Sequence, residues 1–275
     1  MKCSLFKTIE KRKRTMMTPR VAAIHDMSGF GRCSLTVAIP ILSAMGVQCC
    51  PLPTAFLSTH TGGFEGFTFL DMTDEMSKVA DHWASLGLTF QAVYSGFLGS
   101  ERQIGVVEDF ICRFRGPDTV VVVDPVMGDY GRVYQTYTAA MCSGMARLAE
   151  LADVITPNLT ELCLLTEQDH GKIAKIQDPA SLMEKVTHLG RELCAQGPRH
   201  VIVTGIQFRD EKDTEQMGNL YVTHSESRLF SFPHIGGSYS GTGDLFAPAS
   251  PQRRQGHGSG PRHPAGGNIS GSGPC

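Results

Sequence analysis

Residues 92–124 read AVYSGFLGSERQIGVVEDFICRFRGPDTVVVVD. Ala92–Ser95 and Val120–Asp124 are short runs rich in β-branched and aromatic residues, and the segment between them, Glu101–Arg115, spaces its apolar residues at helical intervals. Strand, helix and strand within about thirty residues make a βαβ unit, whose crossover lays the two strands parallel. The same alternation extends in both directions. Further strands are expected at Arg20–His25, Val47–Leu52, Val154–Thr156, His200–Thr204 and Asn219–Thr223, and further helices at Ser34–Met45, Thr73–Leu86 and Ser181–Gln196. The pattern predicts an α/β fold with a mostly parallel central sheet and helices on both faces. Several strands end in a polar residue. Ligands of open α/β sheets bind beyond the carboxyl ends of the strands, so Asp26, Asp124, Asn158 and Thr204 are expected to face one crevice.

Composition divides the chain into three parts. Residues 1–20 carry seven Lys and Arg (Lys2, Lys7, Lys11, Arg12, Lys13, Arg14, Arg20) against Glu10 alone, and read as a disordered basic leader, with Met16 or Met17 as sensible starts. Residues 21–247 form the working domain. Residues 248–275, PASPQRRQGHGSGPRHPAGGNISGSGPC, show no periodic apolar face and read as a disordered low-complexity tail. No internal repeat is evident.

Bulk properties narrow the function. With 275 residues, 41% hydrophobic and 19% charged, the chain can bury one substantial core. A net charge of −2 at pH 7 gives no basic footprint for nucleic acid and no charged stripe for a membrane surface. No apolar run approaches the roughly 20 residues of a membrane span, and no signal-peptide pattern opens the chain. A cytoplasmic protein with a small-molecule partner is expected. The nine cysteines lack C-x-x-C spacing and read as reduced, mostly buried small hydrophobes; the adjacent Cys49 and Cys50 fall in an apparently buried strand, which argues against redox chemistry.

The segment with most chemistry is Gly236-Gly237-Ser238-Tyr239-Ser240-Gly241-Thr242-Gly243-Asp244-Leu245-Phe246. Glycines flanking Thr242 let the backbone aim N–H groups into one concavity, and a helix opening at Leu245 adds positive potential, which makes an anion hole. Asp244 beside it could take the proton from an attacking hydroxyl. The plain alternative is a glycine-rich turn with an acidic helix start. No G-x-x-x-x-G-K-[ST] occurs, and neither Gly29-Phe30-Gly31 nor Gly241-Thr242-Gly243 has the third glycine of a dinucleotide fingerprint.

Six segments in order, His25-Asp26-Met27-Ser28-Gly29-Phe30-Gly31, Ser58-Thr59-His60-Thr61-Gly62, Tyr94-Ser95-Gly96-Phe97, Asp124-Pro125-Val126-Met127-Gly128-Asp129, Thr156-Pro157-Asn158-Leu159-Thr160-Glu161 and Gly241-Thr242-Gly243-Asp244, resemble the motifs of the pyridoxal/pyridoxamine (vitamin B6) kinase family. The resemblance covers about Val21 to Ala247. It implies a ribokinase-like fold, transfer of the ATP γ-phosphate to the 5′-hydroxymethyl group of pyridoxal, pyridoxine or pyridoxamine, and a homodimer that uses Mg²⁺ and usually K⁺.

Residue by residue, the resemblance makes Asp244 the catalytic base and Gly241, Thr242 and Gly243 the anion hole. It gives Asp124 and Glu161 the organisation of Mg²⁺ and phosphates, and places Thr156, Asn158, Thr204 and Gly205 on the nucleotide side. On the substrate side it implies Asp26, Ser28, His60 and Thr61, with Phe97 packing against the ring; His60 reads as a base or, more simply, as a residue that shapes its loop. Asp26-Met27-Ser28-Gly29 is also similar to the D-P-S-G of hydroxymethylpyrimidine kinases, which keeps that substrate as an alternative. The loop Gly128–Tyr134 reads as a cover for ATP or as a surface loop. At Ala247 the similarity stops and Pro248 follows, where family members continue with apolar helices, so a reading-frame change and an inactive, ligand-binding remnant form a third expectation.

Overall fold

A computed structural model describes residues 18–61, 64–135 and 137–236. Its strands are β1 (Arg20–Phe30), β2 (Gln48–Thr59), β3 (Phe69–Asp71), β4 (Ala92–Ser95), β5 (Val120–Val123), β6 (Gly128–Asp129), β7 (Arg132–Val133), β8 (Val154–Ile155), β9 (His200–Arg209), β10 (Glu215–Val222) and β11 (Ser227–Pro233). The helices are α1 (Leu35–Ala44), α2 (Thr73–Ser85), α3 (Glu101–Phe114), α4 (Ala139–Glu150), α5 (Leu159–Leu165), α6 (His170–Ile173) and α7 (Pro179–Gln196). The basic leader up to Met17, the Gly241–Asp244 turn and the tail fall outside the described residues.

Nine strands form one sheet in the order β11-β10-β9-β8-β5-β4-β1-β2-β3. From β2 through β9 every pairing is parallel; β3 at one edge and β10 and β11 at the other are antiparallel. The expected mostly parallel α/β sheet is therefore present. Parallel strands are buried on both sides, and β1 shows it: Ala22 and Ile24 join one hydrophobic cluster while Val21 and Ala23 join the other. The larger cluster takes Met76 and Ala80 of α2, Val107 and Phe110 of α3, Met145 and Leu148 of α4, and Val186 and Leu189 of α7. The opposite face takes Leu35, Ala38 and Leu42 of α1. β1 pairs with β2 on one side and β4 on the other, so the chain reverses its winding at β1, and the crevice of such a sheet opens there.

Several boundaries differ from expectation. β1 continues past His25 to Phe30, so Asp26 and Ser28 lie within a strand and not beyond it; pairing of Met27, Ser28 and Phe30 with Phe56, Leu57 and Thr59 of β2 outweighs their polar neighbours. β2 likewise runs to Thr59 and β9 to Arg209, past Thr204. Of the seven described cysteines, all free, only Cys163 and Cys194 are buried and Cys112 is exposed, so "mostly buried" does not hold. Cys49 and Cys50 are half-buried, and strand alternation sends them to opposite hydrophobic clusters, which keeps their thiols apart. Among the described residues no helix is long and apolar enough to cross a membrane.

Candidate active site

The parallel strands deliver their polar residues to one edge. Asp124 directly follows β5 and is buried; its backbone N–H donates to the Ser95 carbonyl at 2.8 Å, which ties the end of β5 to the end of β4. β8 leads into Thr156, Pro157 and Asn158, and Asn158 caps α5 in a reciprocal box. Its side-chain oxygen accepts from the Glu161 N–H at 2.9 Å, while Glu161 Oε2 accepts from the Asn158 N–H at 2.9 Å. The other Glu161 oxygen accepts from the Met127 N–H at 3.1 Å. Glu161 is thereby fixed in a buried position beside Asp124. Burial first, and then the Asp124 charge, raise the Glu161 carboxyl well above the usual carboxylate range, against hydrogen bonds from the Asn158, Met127 and Gly128 N–H groups. Two carboxylates crowded together at the end of a sheet mark a candidate functional position.

Buried hydroxyls border this pair. Ser95 Oγ and Thr156 Oγ1 find no hydrogen-bond partner among the described residues. Next along the sheet, Thr204 bridges to Asn158, and its N–H donates to the Pro157 carbonyl at 2.9 Å. Thr204 and Gly205 together face the single Asn219, a bulge in β9; Gly205 takes φ 67°, donates its N–H to Asn219 Oδ1 at 3.1 Å, and has open space where a side chain would stand. Backbone is bare at this point, as close approach of a ligand requires.

Across the crevice, Asp26 is buried within β1 and accepts a hydrogen bond from Ser28 Oγ at 3.0 Å. His25 is fully buried, its ring centroid 4.3 Å from that of Tyr94. Gly96 exists to admit that ring: a Cβ there would lie 1.9 Å from His25 Cε1. Burial lowers the His25 imidazole to about 4, against the opposing pull of Asp26. Phe97 is half-buried against the larger hydrophobic cluster. His60 follows β2, its N–H donating to the Phe30 carbonyl at 3.1 Å, and packs edge-on to Phe64 at 4.9 Å. Gly31 lies under the His60 ring, so the contact depends on a missing side chain. Thr61 is exposed.

The Gly128–Tyr134 loop is a two-stranded hairpin, β6–β7, turned by Tyr130 and Gly131 at φ 50° and 74°. Two positive φ values match a tight turn of the I′ kind. Asn158 Nδ2 donates to the Gly128 carbonyl at 2.8 Å and the Gly131 N–H to Thr160 Oγ1 at 2.8 Å, so the hairpin hangs from the cap and first turn of α5. Tyr130 stands at its tip, 70% exposed.

The structure thus gathers Asp124, Thr156, Asn158, Glu161, Thr204 and Gly205 on one side and Asp26, Ser28 and Phe97 on the other, with His60 and Thr61 on the loop after β2. Gly241, Thr242, Gly243 and Asp244 lie outside the described residues. Sequence reasoning missed Asn219, Thr160 and Gln103, which hold the site in shape; only Gln103 left a local trace, the Ser100-x-x-Gln103 pattern of a helix start.

The phosphomethylpyrimidine kinase family model matches residues 39–251. The chain belongs to that family. A pyridoxine/pyridoxal/pyridoxamine kinase of Bordetella avium is 31% identical over 241 residues, 82% of this chain and 74% of the relative. A Vibrio campbellii pyridoxal kinase, PdxY, is 27% identical over 82% of this chain and 76% of its own length. Among solved structures, a Bacteroides thetaiotaomicron protein assigned to the phosphomethylpyrimidine kinases and crystallised with pyridoxal is 43% identical, covers 87% of this chain and 82% of its own, and superposes with a TM-score of 0.77. Lactobacillus plantarum pyridoxal kinase gives 29% identity and 0.72, over 84% and 78% of the two chains. The fold is ribokinase-like and the chain is a phosphotransferase of the vitamin B6 kinase group.

Proposed function

We propose that this protein transfers the γ-phosphate of ATP to the 5′-hydroxymethyl group of a vitamin B6 compound in the cytoplasm. The buried Asp124–Glu161 pair carries the reading. Mg²⁺ suits two carboxylates: it keeps several waters and takes further ligands from phosphate oxygens, so a third acidic or histidine ligand is unnecessary. None is present among the described residues. When bound, the ion offsets the charge of the triphosphate; Asp124 and Glu161 would hold it, with Ser95 and Thr156 hydroxyls adjacent. The family resemblance adds K⁺ on this nucleotide side. Thr204, Gly205 and Asn158 offer a hydroxyl, bare backbone and an amide to the nucleotide. Asp26 faces the vitamer, its Oδ2 fixed by Ser28, and a carboxylate there pairs with a ring nitrogen or an amine. Asp244 takes the hydroxymethyl proton and Gly241–Gly243 receive the phosphoryl charge.

The edge around β3 supports a homodimer: Phe56, Phe69 and Leu70 are 46%, 47% and 60% exposed there, and a second copy is the occupant that would cover them. The family model is described as phosphomethylpyrimidine kinase, and beside it the Asp26-Met27-Ser28-Gly29 similarity keeps hydroxymethylpyrimidine as the second substrate to test. ATP consumption measured with pyridoxal, pyridoxine, pyridoxamine and hydroxymethylpyrimidine separates the readings. The highest kcat/KM is expected for a B6 vitamer, and Asp244→Asn is expected to lower kcat by on the order of 10²-fold or more with vitamer affinity nearly kept. Turnover of hydroxymethylpyrimidine alone refutes the vitamer assignment, and no turnover of any of the four refutes kinase action by this chain.

A further inference from the structure

The side chain of Gln103, on the first turn of α3, is fully buried and polar, and lies outside every motif that suggests kinase chemistry. It makes more bonds than a helix start needs. Its Nε2 donates to the Thr54 carbonyl at 2.8 Å, to Thr73 Oγ1 at 3.0 Å and toward Asp71 Oδ1 at 3.3 Å, and its Oε1 accepts from the Gly99 N–H at 2.7 Å. One amide thus fastens β2, the start of α2 and the loop between β4 and α3.

Thr54 is a special position. His25 pairs with Pro53 and Met27 with Phe56, so Thr54 and Ala55 together stand opposite Asp26. This is a bulge in β2 at the carboxylate proposed to hold the vitamer, and bulges re-aim neighbouring side chains. The Thr54 carbonyl is taken by Gln103 and by the Met72 N–H at 3.1 Å. The Thr54 hydroxyl, also buried, donates to the Phe97 carbonyl at 3.1 Å. Gln103 therefore reaches both walls of the substrate side: Asp26 through the bulge, and Phe97 through Thr54 Oγ1 and the Gly99 loop.

We infer that Gln103 is a positioning residue for the acceptor substrate, which it never touches: it sets the bulge opposite Asp26 and the loop carrying Phe97, and thereby the fit of the vitamer but not of ATP. The inference rests on the vitamin B6 reading above. Its signature is a split between substrates. Gln103→Met keeps the volume of the side chain and removes all four bonds, and Thr54→Val removes only the link to Phe97. For Gln103→Met the KM for pyridoxal is expected to rise about tenfold, with the KM for ATP within about twofold of wild type; Thr54→Val should show the same asymmetry, about threefold. A role in stability alone would lower the melting temperature and the active fraction and leave both KM values in place.

Steady-state kinetics against each substrate, with melting curves on the same samples, tests this. Equal changes in both KM values, or none, in folded Gln103→Met overturn the inference. Should Gln103→Met fail to fold, Thr54→Val decides by the same criterion. A wild-type chain that turns over no vitamer overturns the functional reading and this inference together, whereas an active wild type with symmetric variants overturns this inference alone.

Discussion

Asp153 and Asp124 are equally buried, each 7% exposed, and stand at opposite ends of the parallel strands. Asp153 precedes β8. One of its oxygens accepts from the Val121 N–H at 3.0 Å and from Arg115 at 3.0 Å, and the other lies 3.5 Å from Arg199. Its charge is answered locally by two cations and a backbone donor. Asp124, at the far end, faces another carboxylate, and the result is a Glu161 reluctant to ionise. Burial alone does not distinguish a structural acid from a functional one. The neighbours differ in sign: Asp153 is matched by Arg115 and Arg199, and Asp124 is crowded by Glu161, the kind of arrangement that singles out a candidate site residue.

The sharpest way to break this contrast is Asp124→Asn. We expect kcat/KM to fall by on the order of 10²-fold or more while the melting temperature holds or rises, because relief of the repulsion favours folding as binding is lost. A melting temperature that drops with activity would erase the distinction. Asp153→Ala should do the reverse, costing about 2 kcal/mol in urea unfolding by stranding the Val121 N–H, with kinetics unchanged; exposure of Arg115 and Arg199 keeps the figure modest.

pH adds a third test. Folded His25 takes a proton only near about 4, whereas the unfolded imidazole does so near 6.5. The unfolded chain binds more protons between these values, so His25's contribution is complete above pH 6.5 and is lost as pH falls toward 4. The unfolding free energy at pH 5 should be lower than at pH 7 by about 1–2 kcal/mol, and His25→Gln should remove most of that difference. The smallest effect belongs to a fully solvated pair: Arg102 and Asp74 meet at 2.6 Å with side chains 73% and 74% exposed, and Asp74→Ala is expected to change stability by under about 0.5 kcal/mol.

Much of the sheet was legible. Val120–Val123 and Ala92–Ser95 are strands where β-branched and aromatic runs predicted them, and the strand-end position of Asp124 follows from the first boundary, whereas the short helix Leu159–Leu165 that carries Glu161 was not among the expected helices. Less legible were stretches whose state depends on partners far along the chain. Met27 to Phe30 become strand because β2 offers them a ladder, and β11 exists because β10 lies beside it. The helix Ala139–Glu150 buries Met141, Met145 and Leu148 at helical spacing but follows a hairpin that obscures its start. Within the site, charged residues announced themselves at motif positions, whereas Gln103 acts through an amide whose acceptors are Thr54 and Thr73, on other elements. Its importance is geometric and leaves almost no trace in residue type.

Strand order also sets a timetable. The strands around Asp26, β1, β2 and β4, are complete by Ser95, but β9, which brings Thr204 and Gly205, begins only at His200. At a synthesis rate of about 5–20 residues per second, the gap corresponds to roughly 5–20 s on the ribosome. Throughout it, the Asp26 side of the sheet is made without the Thr204 side, and the growing edge, first β4, then β5 and β8, is open to pairing. Strand order thus makes the interval between Ser95 and His200 a stretch of synthesis in which an unpaired sheet edge is exposed before the Thr204 side exists.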